Sequence, residues 1–236
     1  MLTYNLFGTH SGTAQTIFTA LFVMAFLSLP KVGTAHSGPA KNFNSTAFNQ
    51  KETGTDMEKA TFGGGCFWCV EAVFQRVEGV DTVISGYSGG HVKNPSYREV
   101  TTGTTGHAEV VQIIFNPEVI SFDNLLKIFF KTHDPTQLNR QGADVGPQYR
   151  SVVFYHNSEQ KEKTEYYINK LNEEGVFDKK IVTEVSAFEE FYPAEDYHQN
   201  YYNKNSSAGY CQFVIVPKLQ KLEEIFSDKL KEDAEI

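Results

Sequence analysis

Lys59-Ala60-Thr61-Phe62-Gly63-Gly64-Gly65-Cys66-Phe67-Trp68-Cys69-Val70-Glu71 changes its periodicity at three glycines. Lys59–Phe62 reads as a short strand running into them. Beyond them Phe67, Val70, Val73, Phe74 and Val77 recur at helical spacing on one face, and Gly79 ends the helix. A cysteine therefore stands where a strand passes into a helix.

Val80–Tyr87 reads as a strand, and Ser88–Gly106, with Gly, Pro, Asn and Thr throughout, as a long loop. Ala108–Phe115 is a strand closed by Asn116-Pro117. Ser121 can cap the next helix, in which Phe122, Leu125, Leu126, Phe129 and Phe130 form a wide apolar stripe. A second polar loop, Asp134 to Gln148, precedes the strand Ser151–Tyr155. The order strand, helix, strand, strand, helix, strand predicts an α+β fold, a ferredoxin-like split β-α-β two-layer sandwich with helices on one face of an open sheet. A C-terminal extension follows. Ser158–Glu174 reads as a surface helix capped by Ser158, Ile181–Ser186 as an added strand, and Phe191–Lys204 as an aromatic segment with a short helix. Leu219, Leu222, Phe226 and Leu230 give the last helix its buried stripe. Loops of about fifteen or more residues are uncommon inside a compact domain and are often functional.

The chain has 236 residues, 40% of them hydrophobic and 14% aromatic, enough for one globular domain with length to spare. Its net charge of -8 leaves no basic surplus for phosphates, which excludes nucleic acid as a main partner. Three cysteines are too few for a disulfide scaffold and suggest thiol chemistry. Ile17–Leu29 is an apolar run of signal-peptide length, followed by small residues at Gly33-Thr34-Ala35, although no Lys or Arg precedes Lys31. Residues 1–35 are thus expected to be a signal peptide or membrane anchor, 36–56 a flexible linker, and 57–236 the folded domain. On that reading the domain is exported, either periplasmic or membrane-anchored. A true start at Met57 would make it cytoplasmic.

Placed at the first turn of a helix, the Cys66 thiol is expected to be drawn toward the thiolate by unpaired N–H groups and the helix dipole. Several chemistries compete for the glycine-cysteine pattern. A phosphate loop needs Gly-Lys-Ser/Thr after the glycines, and a c-type haem site needs His where Val70 stands. Structural zinc needs a second close-spaced ligand pair, which the chain lacks, so no metal is expected. A thioredoxin-like CxxC thiol-disulfide oxidoreductase remains open on the spacing of Cys66 and Cys69.

Gly65-Cys66-Phe67-Trp68, Gly106-His107-Ala108-Glu109, and Asp144 through Tyr149-Arg150-Ser151 resemble the motifs of the class A peptide methionine sulfoxide reductases. The similarity runs in the family's order from about Lys59 to Lys221. The resemblance implies that Cys66 attacks the sulfoxide sulfur and takes its oxygen, and that Glu109 is the general acid. Such a carboxyl must have its pKa raised by burial or a neighbouring negative charge. Outside the motif, Glu109 would read as an exposed strand residue. By the same resemblance Tyr97 and Tyr149 hydrogen-bond the sulfoxide oxygen, Asp144 lies on the same wall, and Phe67 and Trp68 hold the S-methyl group.

The family's resolving cysteine corresponds to Cys211, on a mobile strand in many members, and is expected to act first. Cys69, one helical turn from Cys66 in place of the family's usual glycine, would resolve instead or accept the disulfide in a relay. The resemblance further implies the S epimer as substrate, free or in oxidised proteins. It implies no cofactor beyond thioredoxin or another dithiol as reductant. A monomer is expected.

Overall fold

The computed structural model describes residues 56–234. The segment expected to be a signal peptide or anchor, and all but the last residue of the expected linker, lie outside the described residues. In chain order the elements are β1 (Glu58–Gly64), α1 (Phe67–Gln75), β2 (Val80–Ser88), α2 (Tyr97–Val100), β3 (Ala108–Phe115), α3 (Phe122–Thr132), β4 (Arg140–Gln141), β5 (Asp144–Val145), β6 (Ser151–Tyr155), α4 (Ser158–Glu173), β7 (Glu184–Ala187), β8 (Phe191–Pro193), α5 (Tyr201–Asn205) and α6 (Val216–Phe226). Among the described residues no helix is long and apolar enough to cross a membrane.

The main sheet has the order β7-β6-β1-β3-β2-β8. β3 lies antiparallel between β1 and β2, so those two strands run parallel and are split by a third; β6 closes the other side of β1, also antiparallel. This is the predicted ferredoxin-like α+β arrangement. β7 extends it parallel to β6, and β8 extends it antiparallel to β2.

One side chain shows which face the helices cover. Phe62 on β1 lies against Phe74 of α1 at 5.6 Å, and against Phe122 and Phe129 of α3 at 5.8 and 4.9 Å between ring centroids. Burying a ring of this size contributes roughly 1.5–3 kcal/mol relative to leaving it in water. Strand alternation puts Glu109, Val111, Ile113 and Phe115 of β3 on this same face. Ala108, Val110, Val152 and Phe154 form a second cluster on the other face, with Phe188 and Phe191 packed on it. α6 packs against α1 and α3.

Several local readings need correction. α4 is capped by Asn157, whose extended backbone lets its side chain accept the Gln160 N–H at 2.9 Å; Ser158 is the first helical residue. The added strand begins at Glu184 rather than Ile181, because the N–H groups of Ile181 and Val182 go to Asn172 Oδ1 and the Pro135 carbonyl. The last helix ends at Phe226, and Leu230 lies beyond it in a bridge with Val77. The two long loops hold short elements, α2 in the first and the β4–β5 ladder in the second. β8, within the aromatic segment, is an edge strand that periodicity did not separate.

Candidate active site

The glycine run fixes how the chain turns from β1 into α1. Gly65 has φ +95°, and a Cβ there would lie 2.6 Å from the Gln141 side chain, so only glycine fits. Cys66 is the N-cap of α1 and makes no capping bond with its side chain. The Phe67 N–H, one of the helix's free amides, donates to Glu109 Oε2 at 3.0 Å. That amide serves the acid and not the thiol.

The expectation of a thiol drawn down by the helix therefore fails. Burial pushes the Cys66 thiol well up; a side-chain hydrogen bond with Cys69 and the charges of Cys69 and Glu109 push the same way, against a hydrogen bond from Tyr210. Glu109, 1% exposed, is pushed up to about 8 by burial, with Asp144 and Cys69 adding to it and the Phe67 amide opposing. At pH 7 most of the carboxyl is therefore protonated and able to donate.

Tyr97 opens α2, whose N-cap Ser96 forms a capping box with Glu99. The loop carrying it is pinned by His107: Nε2–H donates to the Val92 carbonyl at 2.7 Å and Nδ1 accepts the Gly90 N–H at 3.1 Å. Tyr149 ends a 3-10 turn, Pro147–Tyr149. Burial pushes both phenols up, Tyr97 to about 12, and each feels the charges of Glu109, Cys66 and Asp144. The long loops thus bring Tyr97, Tyr149 and Asp144 into the field of Cys66 and Glu109. Asp144 itself accepts the Tyr210 hydroxyl at 2.8 Å.

Phe67 and Trp68 form an aromatic wall with residues that the sequence reading did not single out. Trp68 stacks on Tyr201 at 3.6 Å with the rings 6° from parallel, and meets Tyr210 edge-on at 5.9 Å. Its indole Nε1–H donates to His198 Nδ1 at 3.2 Å. His198 lies 5.1 Å from the Phe67 ring and 4.3 Å from the Tyr97 ring. Burial pulls His198 below its usual pKa, and because Nδ1 accepts from Trp68 the proton of the neutral ring sits on Nε2, which is buried with no partner among the described residues. Glu195 supports this wall by accepting the Tyr97 N–H at 2.9 Å and the Tyr87 hydroxyl at 3.0 Å. His198, Tyr201 and Glu195 all come from the aromatic segment 191–204. Its density of rings was a signal; which ring faced the site was not.

All three cysteines are free and buried. The neighbouring Cys66 thiol holds the Cys69 pKa down, and Lys218 adds to that effect despite burial. The Tyr210 hydroxyl lies 3.7 Å from Cys69 Sγ. Cys211 does not lie on a strand. It begins a π-helical turn, Cys211–Ile215, that runs into α6, and the Cys69 charge reaches it. Among the described residues no group of three or more His, Cys, Asp or Glu side chains is gathered to hold a metal ion.

A chain-wide comparison agrees with these features. The family model for peptide methionine sulfoxide reductase matches residues 58–230. The chain is 58% identical over 165 residues to the peptide methionine sulfoxide reductase MsrA of Leptospira borgpetersenii, covering 70% of this chain and 93% of that one. It is 56% identical over 175 residues to that of Saccharolobus solfataricus, covering 74% and 98%. Among solved structures it resembles Mxr1 from Saccharomyces cerevisiae in reduced form, with a TM-score of 0.60 and 33% identity over 66% of this chain and 89% of that one. Methionine sulfoxide reductase A of Corynebacterium diphtheriae matches with a TM-score of 0.59 and 37% identity, over 64% and 76%. The chain belongs to the peptide methionine sulfoxide reductase family, MsrA type, and is an oxidoreductase of that kind.

Proposed function

We propose that the chain reduces methionine S-sulfoxide, free or within oxidised proteins, with Cys66 as nucleophile and Glu109 as general acid. The observation that carries this reading is the buried Glu109, bonded to the amide of the residue after Cys66, where burial pushes its carboxyl toward the protonated form. An acid so placed can protonate the sulfoxide oxygen as the sulfur of Cys66 reacts. Tyr97 and Tyr149 supply hydroxyl donors beside it, Asp144 completes that wall, and the Phe67–Trp68 wall receives the S-methyl group.

The cycle balances in three steps. The Cys66 thiol and the sulfoxide give a sulfenic acid and a thioether. The sulfenic acid condenses with a second thiol, releasing water and forming a disulfide. An external dithiol of the thioredoxin type then reduces that disulfide. We read the second thiol as Cys69, because it stands one helical turn from Cys66 at the start of α1 and the two thiols shift each other's pKa, with Cys211 taking over the disulfide afterwards. This order departs from the expectation that Cys211 acts first. The N-terminal pattern supports export, with a reductant supplied outside the cytoplasm.

The deciding experiment is methionine formation from each sulfoxide epimer with dithiothreitol, for the wild type and Cys66→Ser. Turnover of the S epimer alone, abolished in the variant, is expected. No turnover of either epimer, with dithiol exchange retained, would favour a general thiol-disulfide oxidoreductase instead.

A further inference from the structure

The aromatic wall is held by a carboxylate that the proposed cycle does not use. Glu71 lies on α1 three residues after Trp68, so the two side chains share a helix face. It is 1% exposed. Its Oε1 accepts the Asn200 N–H at 2.8 Å and its Oε2 the Tyr201 N–H at 3.1 Å. Burial raises the Glu71 pKa, and these two main-chain bonds oppose the rise.

Asn200 is the N-cap of α5, yet its own side chain makes no capping bond and its backbone is left-handed at φ +55°. Glu71 therefore caps α5 from another helix and holds Asn200 in a conformation that L-residues seldom adopt. The next residue, Tyr201, carries the ring stacked on Trp68. The remainder of α5 is fixed independently. Arg76 donates to Asn203 Oδ1 at 3.1 Å and lies over the Tyr202 ring at 4.9 Å. Loss of the Glu71 bonds would free the first turn of α5 while the rest stays docked.

We propose that Glu71 is a positioning residue for substrate binding: by gripping the Asn200 and Tyr201 amides it sets the Tyr201 ring against Trp68 and so shapes the pocket for the S-methyl group. The proposal rests on reading Trp68 as a wall of that pocket.

Glu71→Gln tests it, since one of the two oxygens becomes an NH2 group that faces one of the two amides as a second donor. KM for a methionine sulfoxide peptide is expected to rise about tenfold with kcat changed by less than about twofold, the pattern of lost uniform binding. Trp68 is the only tryptophan in the chain, so its emission reports on the stack directly. A red shift and stronger acrylamide quenching are expected. Tyr201→Leu should raise KM similarly, and the double variant should be no worse than Tyr201→Leu alone. Unchanged KM and emission, or multiplying KM effects in the double variant, would overturn the proposal. If Glu71→Gln does not fold, Glu71→Asp, which keeps the charge but falls short of the amides, must show the same KM rise; a folded Glu71→Asp with unchanged KM overturns it. A shifted emission with unchanged KM would also overturn it, by removing Trp68 from the pocket. Failure of the proposed activity would show separately, as a wild type without turnover.

Discussion

The Phe67 amide donates to Glu109 Oε2 at 3.0 Å, which joins the start of α1 to the middle of the sheet at the point where the proposed nucleophile and acid meet. The bond opposes the rise in the Glu109 pKa but does not cancel it, because burial is the larger effect. Replacing the acid by an isosteric amide isolates the proton. Glu109→Gln keeps an oxygen to accept the Phe67 amide and loses the acidic hydrogen. Sulfoxide reduction is expected to fall by about 10²–10⁴-fold, the usual contribution of a positioned general acid. Single-turnover kinetics with excess enzyme would measure it. A decline of less than about tenfold would remove Glu109 from the chemistry.

The same carboxyl predicts two pH dependences. Donation needs the protonated form, so the rate of the sulfoxide step should fall as pH rises through about 8. Stability should fall with it. Glu109 binds its proton more tightly in the folded chain than at its ordinary value of 4.5, so the folded state is penalised progressively between about 4.5 and about 8 and no further above. The slope in that window is at most ~1.4 kcal/mol per pH unit. Urea unfolding at pH 5 and pH 9 should show Glu109→Gln gaining on the wild type at the higher pH. An equal difference at both values would mean that burial does not hold the proton.

Glu195 gives a prediction about support. Its carboxylate takes the Tyr97 amide and the Tyr87 hydroxyl, and Tyr87 is fully buried. Glu195→Ala leaves two donors unmatched, each costing ~1–3 kcal/mol where it stays buried. The variant should melt several degrees lower and lose affinity for sulfoxide as Tyr97 drifts. Ser96→Ala, which removes only the cap of α2, should cost ~1 kcal/mol. Thermal melts of the two variants side by side would check the order, and a larger loss for Ser96→Ala would contradict it.

The contrast between these residues shows what the sequence made legible. The order of strands and helices followed from periodicity, and it decides which strands are neighbours. Cys66 and Glu109 could be named because short motifs carry them, although strand alternation alone left Glu109 reading as exposed. His198, Tyr201 and Glu195 could not be placed. They come from a segment without period, whose path is set by long-range bonds such as Gln199 Nε2 to the Ser85 carbonyl at 2.9 Å. The pKa of Cys66 was misread for a related reason. A helix start lowers a thiol only if its amides point at the sulfur, and here the Phe67 amide points at Glu109.

The order of the thiols is open to a direct test. Cys66 and Cys69 stand one helical turn apart and shift each other's pKa, and Cys211 feels the charge of Cys69. After one turnover without reductant, Cys211→Ser should hold a Cys66–Cys69 disulfide and have released one equivalent of methionine. Cys69→Ser should also release methionine but stop at the sulfenic acid, which dimedone would trap on Cys66. The wild type should end with Cys69 joined to Cys211 and Cys66 free for a second turnover. Peptide mapping by mass spectrometry separates these species. A Cys66–Cys211 disulfide forming in Cys69→Ser as fast as disulfide forms in the wild type would reverse the order and make Cys211 the first resolver. The surroundings of Cys211 argue against that result: it is fully buried at the start of a helical turn, and the charge that reaches it is that of Cys69.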